Sequence, residues 1–349
     1  MVEHSVWLSF VKNLTKKKKT SLLEAFGDSE AVYMAAQEEL LRAVPALSEK
    51  DLKELSDKGL NPAFRVLEAC RGCGAEVIDY NNNSYPYRLR NIADPPVVLY
   101  VRGCMPDFKG SIALGVVGQR KATATGLRNA SKLAYELSRN GLIIVSGMAA
   151  GIDSYAHRGA LDGGSPTIAV LGTAIDKCYP ASNASLMRQI ISGGAVLSEY
   201  PPGYKTLPGN FLSRNRIISG ICRGVLVIEA REKSGSLVTA KRACDQNRDV
   251  FAVPGPIDSE DYVGTNGLIK DGAAIVTSSE DILSAYGAEV IAASVNQKQK
   301  NIGGKAKIVE PTGPDSDILK AIGKISHIDD IIERLGREPG EVMASLTLL

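Results

Sequence analysis

Short apolar runs alternate with segments of helical periodicity from residue 111 onward. The runs predict strands at 112–117, 142–146, 167–171, 195–198, 224–230, 250–253 and 274–277. Because successive positions in them are apolar, we expect strands that are buried on both faces. Between the first two runs, apolar residues recur at helical spacing from Leu127 to Leu137, and Asn140-Gly141 ends the predicted helix. The alternation predicts an α/β fold with a mostly parallel, doubly wound sheet.

A separate helical module is predicted over residues 1–75, where apolar residues recur at helical spacing. Ser29 is a candidate N-cap, and Ser48 followed by Asp51 predicts an acidic variant of the capping box. The run from Lys16 to Lys19 lies between the first two predicted helices. Two interpretations of this run stay open: a solvated loop, or a contact with a nucleic-acid backbone.

The remaining pattern divides the chain into three further segments. Apolar runs at 76–80 and 97–101 add two strands, so the α/β domain is predicted to span 76–288. Residues 289–314 are polar and rich in glycine, which is typical of a linker. Residues 315–349 predict a short helical tail that resembles the start of a helix-turn-helix module, truncated before any wing strands.

Charge is unevenly distributed although the formal net charge of the chain is only +2. Residues 118–242 hold sixteen Lys and Arg against seven Asp and Glu, a net of +9. Residues 243–285 hold two against eight, a net of −6. A basic half of an α/β domain favours a polyanionic partner over a neutral metabolite.

The cysteines and the hydropathy of the chain argue against a zinc protein and against a membrane protein. Cys70 and Cys73 have the spacing of metal ligands, but no second pair or nearby His completes a zinc site, so no metal is expected. No apolar run approaches the ~20 residues of a membrane span, and the N-terminus lacks the apolar segment of a signal peptide. We therefore expect a cytoplasmic protein without a membrane partner.

Three glycine-containing turns follow predicted strands and form the main candidate site. They lie at Gly118 to Lys121, Ser146 to Asp153 and Ser234 to Ser236. Open α/β sheets bind ligands at the carboxyl ends of their strands, and the N-termini of helices favour anions. A single such turn would indicate only a tight connection. Three of them, with arginines at 120, 214 and 216, predict a phosphate-binding surface.

The arginines differ in what their positions predict. Arg120 projects from the first turn, where a guanidinium can donate two parallel hydrogen bonds to a phosphate. Arg214 and Arg216 are two residues apart on a predicted helix and therefore point to different faces. One is expected to reach the ligand and the other to brace a neighbouring loop, and the sequence does not decide which. Lys241 belongs either to the site or to a solvated helix face.

No motif of a common nucleotide enzyme accompanies these turns. The G-x-G-x-x-G spacing of a dinucleotide site and the P-loop sequence are both absent. His157 has no partnered Ser or Cys motif, which favours a structural role over that of a general base. Asp153 is expected to cap or brace its loop. For Glu199 and Glu229, ion pairing with Arg214 or Arg216 is favoured over the alternative of a catalytic role.

Many motifs in fixed order over residues 85–285 resemble the DNA-processing protein A (DprA/Smf) family. They include Val116-Val117-Gly118-x-Arg120, the Ser146–His157 segment, Thr167 to Gly172, Tyr179-Pro180, Ser198-Glu199, Arg214 to Gly220, Ser234-Gly235-Ser236 and Phe251 to Gly255. Residues 1–75 are similar to the SAM or helix-hairpin-helix module of that family, and residues 315–349 to a shortened winged helix. The chain departs from the family pattern at Gln119, Ala181 and Leu212.

This resemblance implies an extended Rossmann-like domain that binds single-stranded DNA and forms a homodimer. It also implies protection of incoming DNA and loading of the RecA recombinase during natural transformation, with no enzymatic activity and no cofactor. The candidate DNA- and phosphate-binding residues are Gly118, Arg120, Lys121, Ser146, Gly147, Gly151, Arg214, Asn215, Arg216, Ser234, Gly235, Ser236 and Lys241.

Two alternatives have distinct signatures. Rossmann-like nucleotide phosphoribohydrolases have similar glycine turns, but they carry a Pro-Gly-Gly-x-Gly-Thr-x-x-Glu loop that this chain lacks. A structural adaptor that binds only protein would not need the basic half of the domain. It predicts no affinity for oligonucleotides even at low salt.

Overall fold

The computed structural model describes residues 1–108 and 110–287, which belong to one compact unit, Met1–Gln297. The predicted linker at 289–314 and the predicted tail at 315–349 lie outside the described residues. The described part is an α/β structure with one mostly parallel sheet, so the predicted fold class is confirmed there.

The sheet has nine strands within the described residues, in the order β1-β2-β6-β5-β4-β3-β7-β8-β9. β1 and β6 both pair with β2 antiparallel, and all other pairs are parallel. The strands are β1 Glu76–Asp79, β2 Val98–Gly103, β3 Ala113–Val117, β4 Ile143–Ser146, β5 Thr167–Leu171, β6 Ala195–Ser198, β7 Gly224–Val227, β8 Asp249–Ala252 and β9 Ala274–Ile275.

Helices precede the sheet in the chain and then connect its strands. The helices before β1 are α1 Val2–Phe10, α2 Lys16–Phe26, α3 Ser29–Met34, α4 Gln37–Ala43, α5 Glu49–Leu55 and α6 Asn61–Cys73. The later ones are α7 Tyr87–Arg90, α8 Ala124–Arg139, α9 Ile152–Gly163, α10 Ala184–Gly193, α11 Gly209–Ile221, α12 Gly235–Asp245, α13 Val263–Lys270 and α14 Ser279–Ala285.

Helices cover both faces of the central strands, as the continuous apolar runs predict. In β3, all five residues are buried, and successive side chains point to opposite faces. Ala113 and Val117 pack in the cluster that contains Ile217 of α11. Leu114 packs with Leu133 of α8 on the other face. A strand without a solvent-exposed face needs apolar residues at every position, which explains the apolar run at 112–117.

The N-terminal helices share a hydrophobic core with the sheet, since Leu8 and Leu22 pack in one cluster with Val196 of β6. The capping box of Ser48 and Asp51 is confirmed at the start of α5. The predicted N-cap at Ser29 is wrong by one residue. Asp28 caps α3, because its carboxylate accepts a hydrogen bond from the Ala31 amide at 2.8 Å.

The lysine run is the first turn of α2, so the interpretation as a solvated loop is wrong. Thr15 caps this helix through its hydroxyl. Lys16 donates to Glu199 at 2.8 Å, and Lys18 donates to Asp51 at 2.6 Å. Lys19 donates to the Ser9 carbonyl at 2.6 Å. Three of the four ammonium groups therefore hold elements of the protein together.

The order of the strands creates a switch point beside β3. From β3 the chain proceeds through β4, β5 and β6 to one side and then returns to β7 on the other. The loops that leave β3 and β7 therefore diverge over opposite faces of the sheet. In open α/β sheets, this divergence opens a crevice at the carboxyl ends of the strands.

Candidate functional site

A cleft of about 200 Å³ lies at this switch point. The loops after β3 and β4 contribute to its wall, together with the N-terminal halves of α11 and α12. The lining residues are Val117, Gly118, Arg120, Ala149, Asp153, Phe211, Leu212, Arg214, Asn215, Ile218, Ser234, Gly235, Ser236 and Thr239. The three glycine-containing turns of the sequence thus converge on one concave surface.

Arg214 lies in the wall of the cleft and is only 4% exposed. Its Nη1 atom donates to the Gly147 carbonyl at 2.8 Å and to the Val170 carbonyl. A Cβ atom at Gly147 would lie 2.5 Å from both terminal nitrogens of this guanidinium, so only glycine fits there. Burial lowers the pKa of Arg214 to about 10, which leaves the group charged at neutral pH. The cleft therefore contains a fixed positive charge.

Asp153 holds the loop after β4 in place. Its Oδ2 atom accepts hydrogen bonds from the backbone amides of Gly147 at 3.1 Å and Ala149 at 3.3 Å. Burial raises the pKa of this carboxyl, and the nearby Arg214 guanidinium opposes the rise. These bonds match the loop-bracing role that the sequence predicts. Gly151 lies in the same loop, two residues before Asp153, and has a φ of 80°. A Cβ atom at this position would lie 2.3 Å from the Gln119 carbonyl oxygen.

An exposed arginine and two aromatic rings form one rim of the cleft. The Arg120 guanidinium lies 5.5 Å from the centroid of the Phe211 ring. The Phe211 ring is in turn 5.3 Å from the Tyr179 ring, and Tyr179 is 52% exposed. A cation over an aromatic face is held in position while its N–H groups stay free for a ligand. The rim offers both charge and flat apolar surface.

The first turn of α12 forms another part of the wall. Ser234 caps this helix, and its hydroxyl lies 2.7 Å from that of Ser236. The Asn215 side chain donates to the Gly235 carbonyl at 3.4 Å and ties α11 to this turn. The N-terminus of a helix carries a partial positive charge and unpaired amides, which favour an anion.

Seven of the thirteen candidate residues line the cleft: Gly118, Arg120, Arg214, Asn215, Ser234, Gly235 and Ser236. Three others lie behind its wall. Ser146 is fully buried and donates to the Val116 carbonyl at 2.6 Å, Gly147 packs against Arg214, and Gly151 packs against Gln119. Lys121 and Lys241 are exposed but do not line the cleft.

Arg216, the last candidate, points away from the cleft into a partly buried ion-pair network. Its Nη2 atom donates to Glu199 at 2.7 Å, and its Nε atom donates to Asp94 at 3.0 Å. Burial works to raise the pKa of Glu199, but Arg216 and Lys16 together hold it below its usual range. Arg214 is thus the arginine at the cleft and Arg216 the bracing one, a choice that the sequence left open.

Glu229 does not form the ion pair with the 214–216 cluster that the sequence predicts. Its carboxylate accepts hydrogen bonds from the Thr123 amide at 3.0 Å and from the Gln119 side chain at 3.1 Å. The residue is fully buried at the carboxyl end of β7, beside the start of α8. It stabilises the loop that presents Arg120.

His157 is also structural, as expected. Its Nδ1 atom lies 2.8 Å from the Thr167 hydroxyl, and that hydroxyl donates to the Ile144 carbonyl at 2.7 Å. The imidazole therefore donates from Nδ1, because the hydroxyl hydrogen is already in use. Burial, with a smaller contribution from Arg214, lowers the pKa of His157 to about 3, so the ring is neutral.

The sequence did not single out Thr239 or Ala149, both of which line the cleft. Thr239 lies three residues after Ser236 on α12, and residues at that spacing share one face of a helix. That spacing was the available signal. Ala149 carries no chemical signal beyond its place in a small-residue turn.

Within residues 1–108 and 110–287, no group of His, Cys, Asp or Glu is arranged to hold a metal ion. No helix in the same part of the chain is long and apolar enough to cross a membrane.

Comparison with known proteins agrees with this architecture. The Smf protein of Synechocystis sp. is 42% identical over 252 residues, which are 71% of this chain and 63% of that relative. The chain thus matches somewhat less than two thirds of that relative's length. The X-ray structure of DNA processing protein A from Streptococcus pneumoniae matches with a TM-score of 0.69 at 33% identity, over 81% of this chain and 98% of the other.

A second solved structure was described for its unique single-stranded DNA binding mode: DNA processing protein A from Helicobacter pylori. It matches with a TM-score of 0.55 at 29% identity, over 62% of this chain and 96% of the other. The family model for DNA recombination-mediator protein A matches residues 76–287, which include every strand and every residue of the cleft described above. The chain belongs to the DNA recombination-mediator protein A family.

Proposed function

We propose that this chain is a recombination mediator that binds single-stranded DNA along the cleft. It would protect incoming DNA and load the RecA recombinase onto it during natural transformation, as a cytoplasmic homodimer without enzymatic activity. Membership of the family and the DNA-binding relative from Helicobacter pylori support this proposal.

The proposal of DNA binding rests on two arginines that both line the cleft, one of them buried and the other exposed. Arg214 supplies a charge that is fixed by the backbone carbonyls of Gly147 and Val170. Arg120 is exposed at the rim, held over the Phe211 ring, with its N–H groups available to phosphate. Single-stranded DNA presents phosphates and flat bases together, which is the combination that this cleft can contact.

Asp153 is the carboxylate among the residues that line the cleft. Its Oδ2 atom accepts hydrogen bonds from two backbone amides, so this carboxylate braces the loop after β4. The alternative of a nucleotide-hydrolysing enzyme therefore has no additional support from the geometry of the cleft.

The test is fluorescence anisotropy with a labelled oligothymidylate, across a salt series, for wild type and Arg120→Ala. We expect the variant to bind roughly tenfold more weakly, because one charge-assisted contact is lost. The slope of log affinity against log salt should become shallower by about 0.7 for the lost phosphate contact. RecA filament assembly on the same oligonucleotide then tests the loading step.

Arg139→Ala is the matched control. Arg139 is also exposed, and its guanidinium lies 5.9 Å from the Tyr135 ring, much as Arg120 lies over Phe211. It ends α8, just before the amino end of β4, whereas the cleft lies at the carboxyl ends of the strands. Its loss should leave the salt slope unchanged. If wild type fails to bind at low salt, or if both variants lose affinity equally, the cleft is not the DNA site.

A further inference from the structure

A second cavity lies on the other side of α11, between the N-terminal helices and the sheet. Its volume is about 400 Å³, which is within the range of small-molecule sites. Gly209, Asn210 and Ser213 of α11 line it, whereas Phe211, Leu212 and Arg214 of the same helix line the cleft. None of the residues that line this cavity also lines the cleft. A ligand in this cavity is therefore independent of the proposed function of the cleft.

Lys19 contributes an ammonium group with unused donors to this cavity. It donates to the Ser9 carbonyl at 2.6 Å, and an ammonium group has three N–H donors. Among the described residues, no carboxylate lies within ion-pair distance of it. Burial lowers its pKa to about 8, which leaves the group mostly charged at neutral pH but poorly solvated. A bound anion would supply the missing partner.

Asn210 presents a second unused donor. Its side chain is only 7% exposed and lines the cavity, and its Nδ2 atom has no hydrogen-bond partner in the described part of the chain. A buried amide group without a partner is costly, so its presence needs an explanation. An acceptor atom of a ligand in the cavity would satisfy it.

The charge around the cavity is positive overall. Lys16 and Arg216 both pair with Glu199, and Arg216 also pairs with Asp94. Among the residues that line the cavity, two lysines, Lys16 and Lys19, face one carboxylate, Glu199. An excess of donors and of positive charge selects a ligand that is rich in acceptors and anionic.

Two tyrosines supply a flat apolar wall in the same cavity. The rings of Tyr200 and Tyr204 are stacked, with centroids 4.8 Å apart and an angle of 26° between their planes. Both residues line the cavity and both are partly exposed. A nearly parallel pair of rings offers its outer face to another planar ring.

We propose that this cavity binds a nucleoside monophosphate. The phosphate would accept hydrogen bonds from Lys19 and Asn210, and the base would stack against the tyrosine wall. This ligand is anionic, rich in acceptors and carries one planar ring, which are the three properties that the cavity selects.

Isothermal titration calorimetry of the full chain with deoxyadenosine monophosphate tests the proposal. We expect wild type to bind and Lys19→Met to bind at least about tenfold more weakly, because a charged hydrogen bond is lost while the volume of the side chain is kept. Lys17→Met is the matched control, since Lys17 is the exposed neighbour on the same helix. Its affinity should equal that of wild type. Inorganic phosphate should bind more weakly than the nucleotide, and deoxyadenosine should not bind.

Arg120→Ala separates this cavity from the cleft, because Arg120 lines only the cleft. It should leave the affinity for the nucleotide unchanged. The proposal is overturned if wild type shows no binding at millimolar nucleotide, if Lys19→Met binds as wild type does, or if Arg120→Ala alone removes binding. Should Lys19→Met fail to fold, Tyr204→Leu replaces it. That variant should lose affinity for the nucleotide but keep the affinity for inorganic phosphate, and equal losses for both would contradict the proposed stacking.

Discussion

Replacing Arg216 tests whether this buried arginine stabilises the fold and does not bind DNA. The change is Arg216→Met, which keeps most of the volume of the side chain and removes the charge. In the structure Arg216 is 2% exposed and donates to both Glu199 and Asp94. The variant leaves Glu199, which is 16% exposed, with Lys16 at 2.8 Å as its remaining cation.

The expected loss of stability follows from these two ion pairs. Each charge-assisted hydrogen bond contributes about 1.5–3 kcal/mol, and breaking a buried ion pair costs about 3–5 kcal/mol. Water can solvate Asp94, which is 35% exposed, and Lys16 partly compensates Glu199. We therefore expect the free energy of unfolding to fall by about 3 kcal/mol, at the lower end of that range.

Urea denaturation followed by circular dichroism measures this loss, and Arg242→Met is the control. Arg242 is exposed on α12, so its replacement should change the free energy of unfolding by no more than about 0.5 kcal/mol. Oligonucleotide affinity of the folded Arg216→Met variant should equal that of wild type. A loss of stability below about 1 kcal/mol, together with weakened DNA binding, would refute the assignment of Arg216 to a bracing role.

Two further predictions concern Gly147 and His157. Gly147→Ala should destabilise the protein by about 1–3 kcal/mol and weaken oligonucleotide binding in anisotropy, because the added Cβ displaces the Arg214 guanidinium. Gly267→Ala, whose Cβ would meet no atom within 4 Å, should do neither. Folding lowers the pKa of His157 from 6.5 to about 3. Between these two pH values the imidazole is protonated in the unfolded chain and neutral in the folded protein. Its contribution to stability is full above pH 6.5 and is lost as the pH falls towards 3. The urea midpoint of His157→Gln should therefore change less between pH 7 and pH 5 than that of wild type, and parallel profiles would contradict this reasoning.

The sequence predicted the strands well because burial on both faces leaves a local signal. The run at 142–146 became β4, and only its first residue lies outside the strand. The run at 224–230 extends beyond β7, which ends at Val227. Ile228 and Ala230 are nevertheless fully buried. Hydropathy reports burial rather than hydrogen bonding, so it cannot mark where pairing between strands stops.

The part of the candidate site that follows from the order and direction of the strands was predictable from the sequence. Parallel strands bring their carboxyl ends to one edge, so three turns that are distant in sequence had to meet. Which arginine faces the cleft depended on the ion pairs of Arg216 with Glu199, 17 positions away, and with Asp94, 122 positions away in the chain. No local pattern encodes such a choice.

The contacts of the α2 lysines also could not be predicted from the sequence. A run of four lysines is typical of a solvated surface, and the sequence offered no reason to place any of them against the sheet. In the structure Lys16 reaches Glu199, which is 183 positions away in the chain. Thr15 was the one local clue, because a threonine before the run can cap a helix and thereby place its first turn.

The two outermost strands of the sheet are both short. β1 has four residues and β9 has only two. An edge strand exposes unpaired amides and carbonyls, and a long one invites another chain to continue the sheet. Here each edge offers few hydrogen bonds to an incoming strand. Short edges lower the risk of edge-to-edge aggregation, and two copies that associate through the described residues would do so mainly through side chains.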